Sequence, residues 1–174
     1  MKKAKQVILV LFAVFLVSGC ASAPLPEPGE RNQTLVVGMM DIRGITELVS
    51  HRGIIISLSE IITGRIYAIQ TTDDGLFYSA NVPPGTYRFT RMEYPRITGG
   101  FSSITLNSPR RIDIREGYVN NIGTILWTNI DDTTIVRGNF SYNRDYAQVI
   151  NKFQSRYSSS GWNEREWVNN LFSF

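Results

Sequence analysis

Through most of the chain, apolar residues come in short runs separated by polar or turn-forming residues. Several runs alternate with the period of two that marks a strand with one face buried. Tyr87 and Phe89 alternate with Thr86, Arg88 and Thr90, and Ile112 and Ile114 alternate with Arg111, Asp113 and Arg115. The richest stretch runs from Thr72 to Phe89 and reads as strand, turn, strand, turn, strand. Asp74-Gly75 supplies the positive φ of a tight turn. Val82 and Pro83 each precede a proline and are pushed to extended backbone. Pro84-Gly85 suits a type II turn, with proline second and glycine third.

The same pattern predicts nine strands, over residues 34–42, 53–58, 66–71, 76–80, 86–93, 101–106, 110–115, 118–127 and 133–142. Short strands punctuated by turns, with no helical spacing between them, predict an antiparallel sandwich rather than βαβ units. The period changes after Tyr142. Tyr146, Val149, Ile150, Phe153 and Tyr157 recur at helical spacing and predict a helix over residues 144–157. A second short helix is expected over residues 164–172. Asn163 is its N-cap, Glu166 completes a capping box, and Trp162 and Trp167 form a hydrophobic staple. Both helices are expected to lay their apolar faces on the sandwich.

At 174 residues the chain is long enough for one domain with a real core. Its formal charge is +3, but Lys2, Lys3 and Lys5 lie in a segment expected to be removed. Without them, 15 basic residues face 15 acidic ones. A neutral mature chain has no net field to draw nucleic acid, and that partner class drops out.

Those lysines open an N-terminal pattern of their own. After them, residues 7–17 form an apolar run too short to span a bilayer comfortably. Leu16-Val17-Ser18-Gly19-Cys20 follows. This run resembles the lipobox of bacterial lipoproteins. The resemblance implies that Cys20 is thioether-linked to diacylglycerol, becomes the N-terminus and is N-acylated. Several acyl chains make a stable anchor where one is marginal. Ala21 after the cysteine, in place of an aspartate, implies the outer membrane where the host has one, and the cell membrane otherwise. Cys20 is the single cysteine, so no disulfide forms within the chain. Residues 20–33, with Pro24, Pro26, Pro28 and Gly29, read as a tether between anchor and domain.

Asp74-Gly75-Leu76-Phe77-Tyr78-Ser79-Ala80-Asn81-Val82-Pro83-Pro84-Gly85-Thr86-Tyr87 resembles the signature of carboxypeptidase regulatory-like domains. The match covers Thr72 to Phe89. It implies a transthyretin-like (prealbumin-like) Greek-key β-sandwich with a structural or binding role and no catalytic residues.

Candidate chemistry is sparse. His51 is the only histidine, which excludes a His-based triad or a multi-histidine metal site within the chain. It reads as a solvated loop residue. Asp73-Asp74 and Asp131-Asp132 are of a type that binds Ca²⁺, but both pairs sit where turns are expected, and turn chemistry is the favoured reading. The mature chain has fourteen arginines and one lysine, Lys152. Arginine forks suit carboxylates, phosphates and acidic sugars. Arg88, Arg91, Tyr94 and Arg96 are the candidate ligand-binding group, against the plainer reading of surface ion pairs. Exposed together, Tyr78, Tyr87, Tyr94, Tyr118, Trp127, Trp162 and Trp167 would stack on sugar rings; core packing is the favoured reading.

The expected organisation is a lipoprotein signal peptide (1–19), a lipidated tether (20–33), a mainly β sandwich domain (34–142) and a cap of two short α-helices (143–174). The expected role is a non-enzymatic envelope module, structural or protein-interacting, without a cofactor or metal, anchored in the membrane through lipid on Cys20. The alternative is a surface lipoprotein that binds a glycan or peptide.

Overall fold

The computed structural model describes residues 25–44, 51–96, 98–106, 110–129 and 138–170. Cys20 and Asp131-Asp132 lie outside them. The described residues form ten strands, one α-helix and a 3-10 turn. In chain order these are β1 (Leu35–Arg43), β2 (Ile55–Glu60), β3 (Ile66–Gln70), β4 (Leu76–Ala80), β5 (Gly85–Pro95), β6 (Phe101–Thr105), β7 (Ile112–Ile114), β8 (Val119–Asn129), β9 (Gly138–Asn143), α1 (Tyr146–Arg156), the 3-10 turn (Gly161–Glu164) and β10 (Trp167–Asn169).

The strands make two sheets packed face to face. One runs β4-β1-β8, with β9 and β10 both paired to the far side of β8. The other runs β3-β2-β5, with β6 and β7 both paired to β5. Between the sheets lies the main core, which includes Val36, Leu58, Phe77, Tyr87, Phe89, Met92, Ile122 and Trp127. A second cluster lies on the other face of the first sheet. There Val149 and Phe153 of α1, with Trp162, cover Leu35, Val37, Leu76 and Val119. The first sheet is therefore buried on both faces, and α1 makes a third layer.

Double burial accounts for a departure from the expected antiparallel pairing. β1 pairs with β8 in parallel, and so does β10. Residues 35–40 of β1 are all buried, without alternation. Continuous burial of this kind suits a central strand in a covered, partly parallel sheet. The second sheet is antiparallel throughout.

The stretch from Thr72 to Phe89 stitches the two sheets together. β3 lies in the second sheet, β4 in the first and β5 in the second again. The Asp74-Gly75 turn is a corner between sheets, closed by Gly75 N–H to the Thr72 carbonyl (3.1 Å) and Thr72 N–H to the Leu76 carbonyl (2.7 Å). Gly75 has φ +82°, and a Cβ there would lie 2.4 Å from the Met40 carbonyl oxygen. The expected type II turn at Pro84-Gly85 does not form. Gly85 has φ +158° and already opens β5, while the left-handed residue is Asn81, with φ 62°. Asparagine tolerates that region, and its N–H is held by the Thr34 carbonyl at 2.8 Å. The Tyr87 hydroxyl donates to the Pro83 carbonyl (2.7 Å), which pins the same loop.

The C-terminal region corrects the expected pair of helices. α1 forms, with Asp145 as its N-cap accepting from the Gln148 N–H. The second helix does not. Ser160 caps a short 3-10 turn instead, and Trp167–Asn169 form β10. A segment this short gains little as an isolated helix. β8 offers it unpaired backbone at Val119–Asn121, which it takes in parallel register. Buried asparagines seal the seam. The Asn121 side chain donates to the Tyr146 carbonyl (3.1 Å) and to Asn169 Oδ1 (3.2 Å), and accepts from the Gly123 N–H (3.0 Å). The Asn170 side chain donates to Asn120 Oδ1 (3.3 Å).

The described part of the expected tether is held down rather than free. Trp162 Nε1 donates to the Pro26 carbonyl (2.6 Å), and the Gly161 N–H to Glu27 Oε2 (2.7 Å). Arg165 reaches the Glu30 and Arg31 carbonyls. Leu25 packs against the second cluster. Among the described residues, no helix is long and apolar enough to cross a membrane.

Candidate functional site

The sequence-based ligand group does not come together. A bulge in β5 sets the geometry. Ser57 pairs with Arg91 and Leu58 with Phe89, which leaves Thr90 as the extra residue. A bulge resets which side chains face inward. Tyr87 and Phe89 are buried before it, and Met92 and Tyr94 after it. Arg88 and Arg91 are left exposed on the outer face of the second sheet. Arg91 pairs with its neighbour Glu93 at 2.8 Å. Tyr94 is 1% exposed and belongs to the core, so it cannot line a site with the arginines. Arg96 sits beyond the end of β5, its N–H bonded to the Gly100 carbonyl (3.1 Å).

Most of the other aromatics are structural. Tyr87, Trp127 and Trp162 are buried. Tyr78 packs edge-on against Tyr157 at 5.3 Å, and Trp167 edge-on against Phe153 at 5.4 Å. Burial is the first cause that raises the Tyr78 and Tyr87 hydroxyls. Tyr78 also has Tyr157 beside it; Tyr87, beside Tyr67 and Glu60, is pushed up to about 12.

The polar feature that sequence reasoning did not assemble is a cleft of about 270 Å³ on the outer face of the first sheet, beside the start of α1. Met39, Asp41, His51, Asp74, Thr124 and Gln148 are among its lining residues. They converge because β1 and β8 extend past the helix and the Asp74-Gly75 corner folds over them. Most of these groups already have partners. Asp41 takes the Arg43 guanidinium at 2.7 Å. His51 is half-buried rather than solvated, and its Nε2 accepts from the Ile42 N–H at 3.4 Å.

Asp73 and Asp74 tie the corner to the helix. Arg156 reaches Asp73 at 3.1 Å and Asp74 at 3.5 Å, and Lys152 donates to the Asp74 carbonyl at 2.7 Å. Burial alone pushes the Asp74 carboxyl up. The Thr72 hydroxyl, Lys152, the Leu76 N–H and Arg156 outweigh it and hold the carboxyl below its ordinary value. The Thr124 hydroxyl is buried with no partner among the described residues. Among those residues, no three His, Cys, Asp or Glu side chains are grouped to hold a metal ion. The cleft is thus lined by Met39, Met40 and Leu126 together with polar groups, of which the charged ones, Asp41, Arg43 and Asp74, are already in ion pairs.

No family model matches the chain, and no curated protein matches it. Among solved structures, it is similar to a leucine-rich repeat protein from Bacteroides thetaiotaomicron, at 13% identity and a TM-score of 0.37. The likeness covers 56% of this chain and 14% of that one. It is also similar to the major pilin subunit of Bacillus cereus, at 16% identity and a TM-score of 0.33, over 61% of this chain and 30% of the pilin. This chain therefore spans less than a third of either protein. Likeness at that level carries no argument about function.

Proposed function

We propose that this chain is a membrane-anchored envelope lipoprotein whose sandwich serves as a non-enzymatic structural or protein-interaction module. The observation that carries the reading is the run of basic residues, short apolar segment and Leu16-Val17-Ser18-Gly19-Cys20. Lipid on Cys20 anchors the domain, and Ala21 directs it to the outer membrane. The module itself is a transthyretin-like sandwich. That reading draws support from the strand order β4-β1-β8-β9 facing β3-β2-β5-β6, and from the corner that Asp74-Gly75 makes between the sheets.

A non-enzymatic role fits the committed state of the candidate groups. Asp73 and Asp74 serve the helix, Tyr94 serves the core, and His51 accepts a backbone N–H. The outer face of the second sheet is the broad surface that no described element covers. It carries Arg88 and Arg91, and on the same face the exposed Ile66 of β3 and Phe101 of β6.

Cell fractionation tests the anchor. The natural protein sediments with membranes and Cys20→Ala is released to the soluble fraction; a Cys20→Ala protein that stays with membranes would sink the reading. In-cell crosslinking with mass spectrometry tests the role, and a reproducible envelope protein partner is expected. A surface-exposed protein with no protein partner, but with glycan ligands on an array, would replace the interaction role with ligand binding.

A further inference from the structure

Four large hydrophobic side chains stand exposed among the described residues: Ile61 (37%), Ile62 (86%), Ile66 (62%) and Phe101 (61%). Three of the four belong to one feature, the β2–β3 hairpin. Scattered single hydrophobics need no explanation, but a group on one tip does. The tip is well built. Glu60 N–H donates to the Arg65 carbonyl (2.8 Å), Gly64 N–H to the Glu60 carbonyl (3.0 Å) and Ile61 N–H to the Thr86 carbonyl (2.9 Å). Ile61 and Ile62 are therefore presented by a closed turn, and Ile66 by the first position of β3, opposite Ser59. Arg65 flanks them, its guanidinium 5.3 Å from the Tyr67 ring.

The position of the tip decides what covers it. Ile61 is bonded to Thr86, at the start of β5. The loop before β5 holds Thr34 through the Asn81 N–H and the Val82 carbonyl. Thr34 directly precedes β1, and Arg31 lies against Gly117 in the turn before β8. The hairpin and the held N-terminal segment thus share one end of the sandwich. Leu25 is the first described residue, and Cys20 lies five residues before it. Five residues reach at most about 18 Å. On the lipoprotein reading, a lipid on Cys20 keeps Leu25, which packs on the α1 side of the first sheet, within that reach of the bilayer. Phe101 lies at the other end of β5, opposite Pro95.

We infer that the β2–β3 hairpin is a second membrane contact, with Ile61, Ile62 and Ile66 seated in the headgroup–acyl boundary of the bilayer that holds Cys20. The inference rests on the lipoprotein reading. The anchor makes the contact local, and the hairpin fixes the orientation of the domain. Arg65 beside the isoleucines suits anionic headgroups, and interfacial apolar contact reinforces a lipid anchor. The second sheet then rises from the membrane by its β2–β3 end, with Arg88, which pairs with Ser59 opposite Ile66, at the level of the headgroups.

The test uses the full lipidated chain purified from membranes and reconstituted in phosphatidylcholine–phosphatidylglycerol vesicles. Cys20 is the chain's only cysteine, so lipid on it leaves Ile62→Cys as the single thiol for a polarity-sensitive dye. The dye at position 62 is expected to emit as in an apolar medium and to be quenched by lipids carrying a shallow nitroxide. The same dye at Phe101→Cys should emit as in water and resist quenching. Matching water-like emission at both positions overturns the inference. So does protection at position 62 that appears only when envelope proteins are added, which would make the tip a protein contact. A second dye on Cys20 would show that the cysteine carries no lipid, and both the anchor and the hairpin contact would then fall.

Discussion

Gly38 offers the sharpest test of the packing between the sheets. It lies in β1 directly opposite Phe77 of β4. A Cβ built there would sit 2.5 Å from Phe77 Cζ and 2.7 Å from Ile122 Cγ1. Both neighbours are fully buried in the main core, so neither can swing into solvent. The φ of Gly38 is not positive, so alanine meets no backbone penalty and the effect of Gly38→Ala is steric. Overpacking of this kind costs about 1–3 kcal/mol. Loss of glycine's freedom in the unfolded chain returns about 0.4–1 kcal/mol. A net destabilisation of about 1–2 kcal/mol is expected from urea unfolding, with an unchanged denaturant slope. Phe77→Leu removes the ring edge that causes the closest contact. In that background Gly38→Ala should cost less, with a coupling of about 1 kcal/mol. A neutral or stabilising Gly38→Ala would refute the packing, as would two effects that add within about 0.5 kcal/mol.

Other consequences follow from the C-terminal seam, the helix and the core tyrosine. Asn121→Ala leaves the Tyr146 carbonyl and the Gly123 N–H without their partner. It should cost about 1–3 kcal/mol and speed hydrogen exchange at the Asn170 amide, which donates to the Asn121 carbonyl; unchanged exchange would mean that β10 is held otherwise. Asp145→Ala removes the N-cap of α1 and should lower stability by about 1 kcal/mol in thermal unfolding, with Asp145→Asn largely neutral. The raised Tyr87 hydroxyl gives an alkaline limb to stability. Its contribution is fully present below the ordinary tyrosine value near 10 and is lost as pH rises through about 12. Tyr87→Phe should flatten that limb in pH-dependent unfolding. Asp74 acts at the other end of the scale. Its lowered carboxyl contributes stability above the ordinary aspartate value and loses it as pH falls through the lower native one. Asp74→Asn should therefore weaken the acid dependence of unfolding.

Much of the fold is legible in local pattern. β4 lies at residues 76–80 as the alternation and turn residues predict, and the expected strands 1 to 9 each overlap an observed one. Which strands become neighbours is less legible, because register and sheet order come from packing. A trace of it exists in residues 35–40, whose unbroken apolar run marks a strand covered on both faces. β10 is missed because Trp167, in a short segment with capping-box residues, reads equally well as a helix staple; the free edge of β8 decides the outcome. Tyr94 carries its own correction in the sequence. Met92 and Tyr94 are in phase with each other and out of phase with Tyr87 and Phe89, and such a slip in alternation signals a bulge between them. The cleft beside α1 has no local signature. Its lining residues come from β1, the segment before β2, the Asp74-Gly75 corner, β8, β9 and α1, and only the fold brings them together.

The central claim is that the chain is held to the envelope through Cys20. Mass spectrometry of the N-terminal peptide of the mature protein, extracted from membranes in detergent, tests it most directly. The predicted result is a peptide that begins at Cys20, followed by Ala21, and carries a diacylglyceryl thioether and an amide-linked acyl chain. A mature N-terminus elsewhere, or a peptide that retains Cys20 as an unmodified thiol, would contradict it.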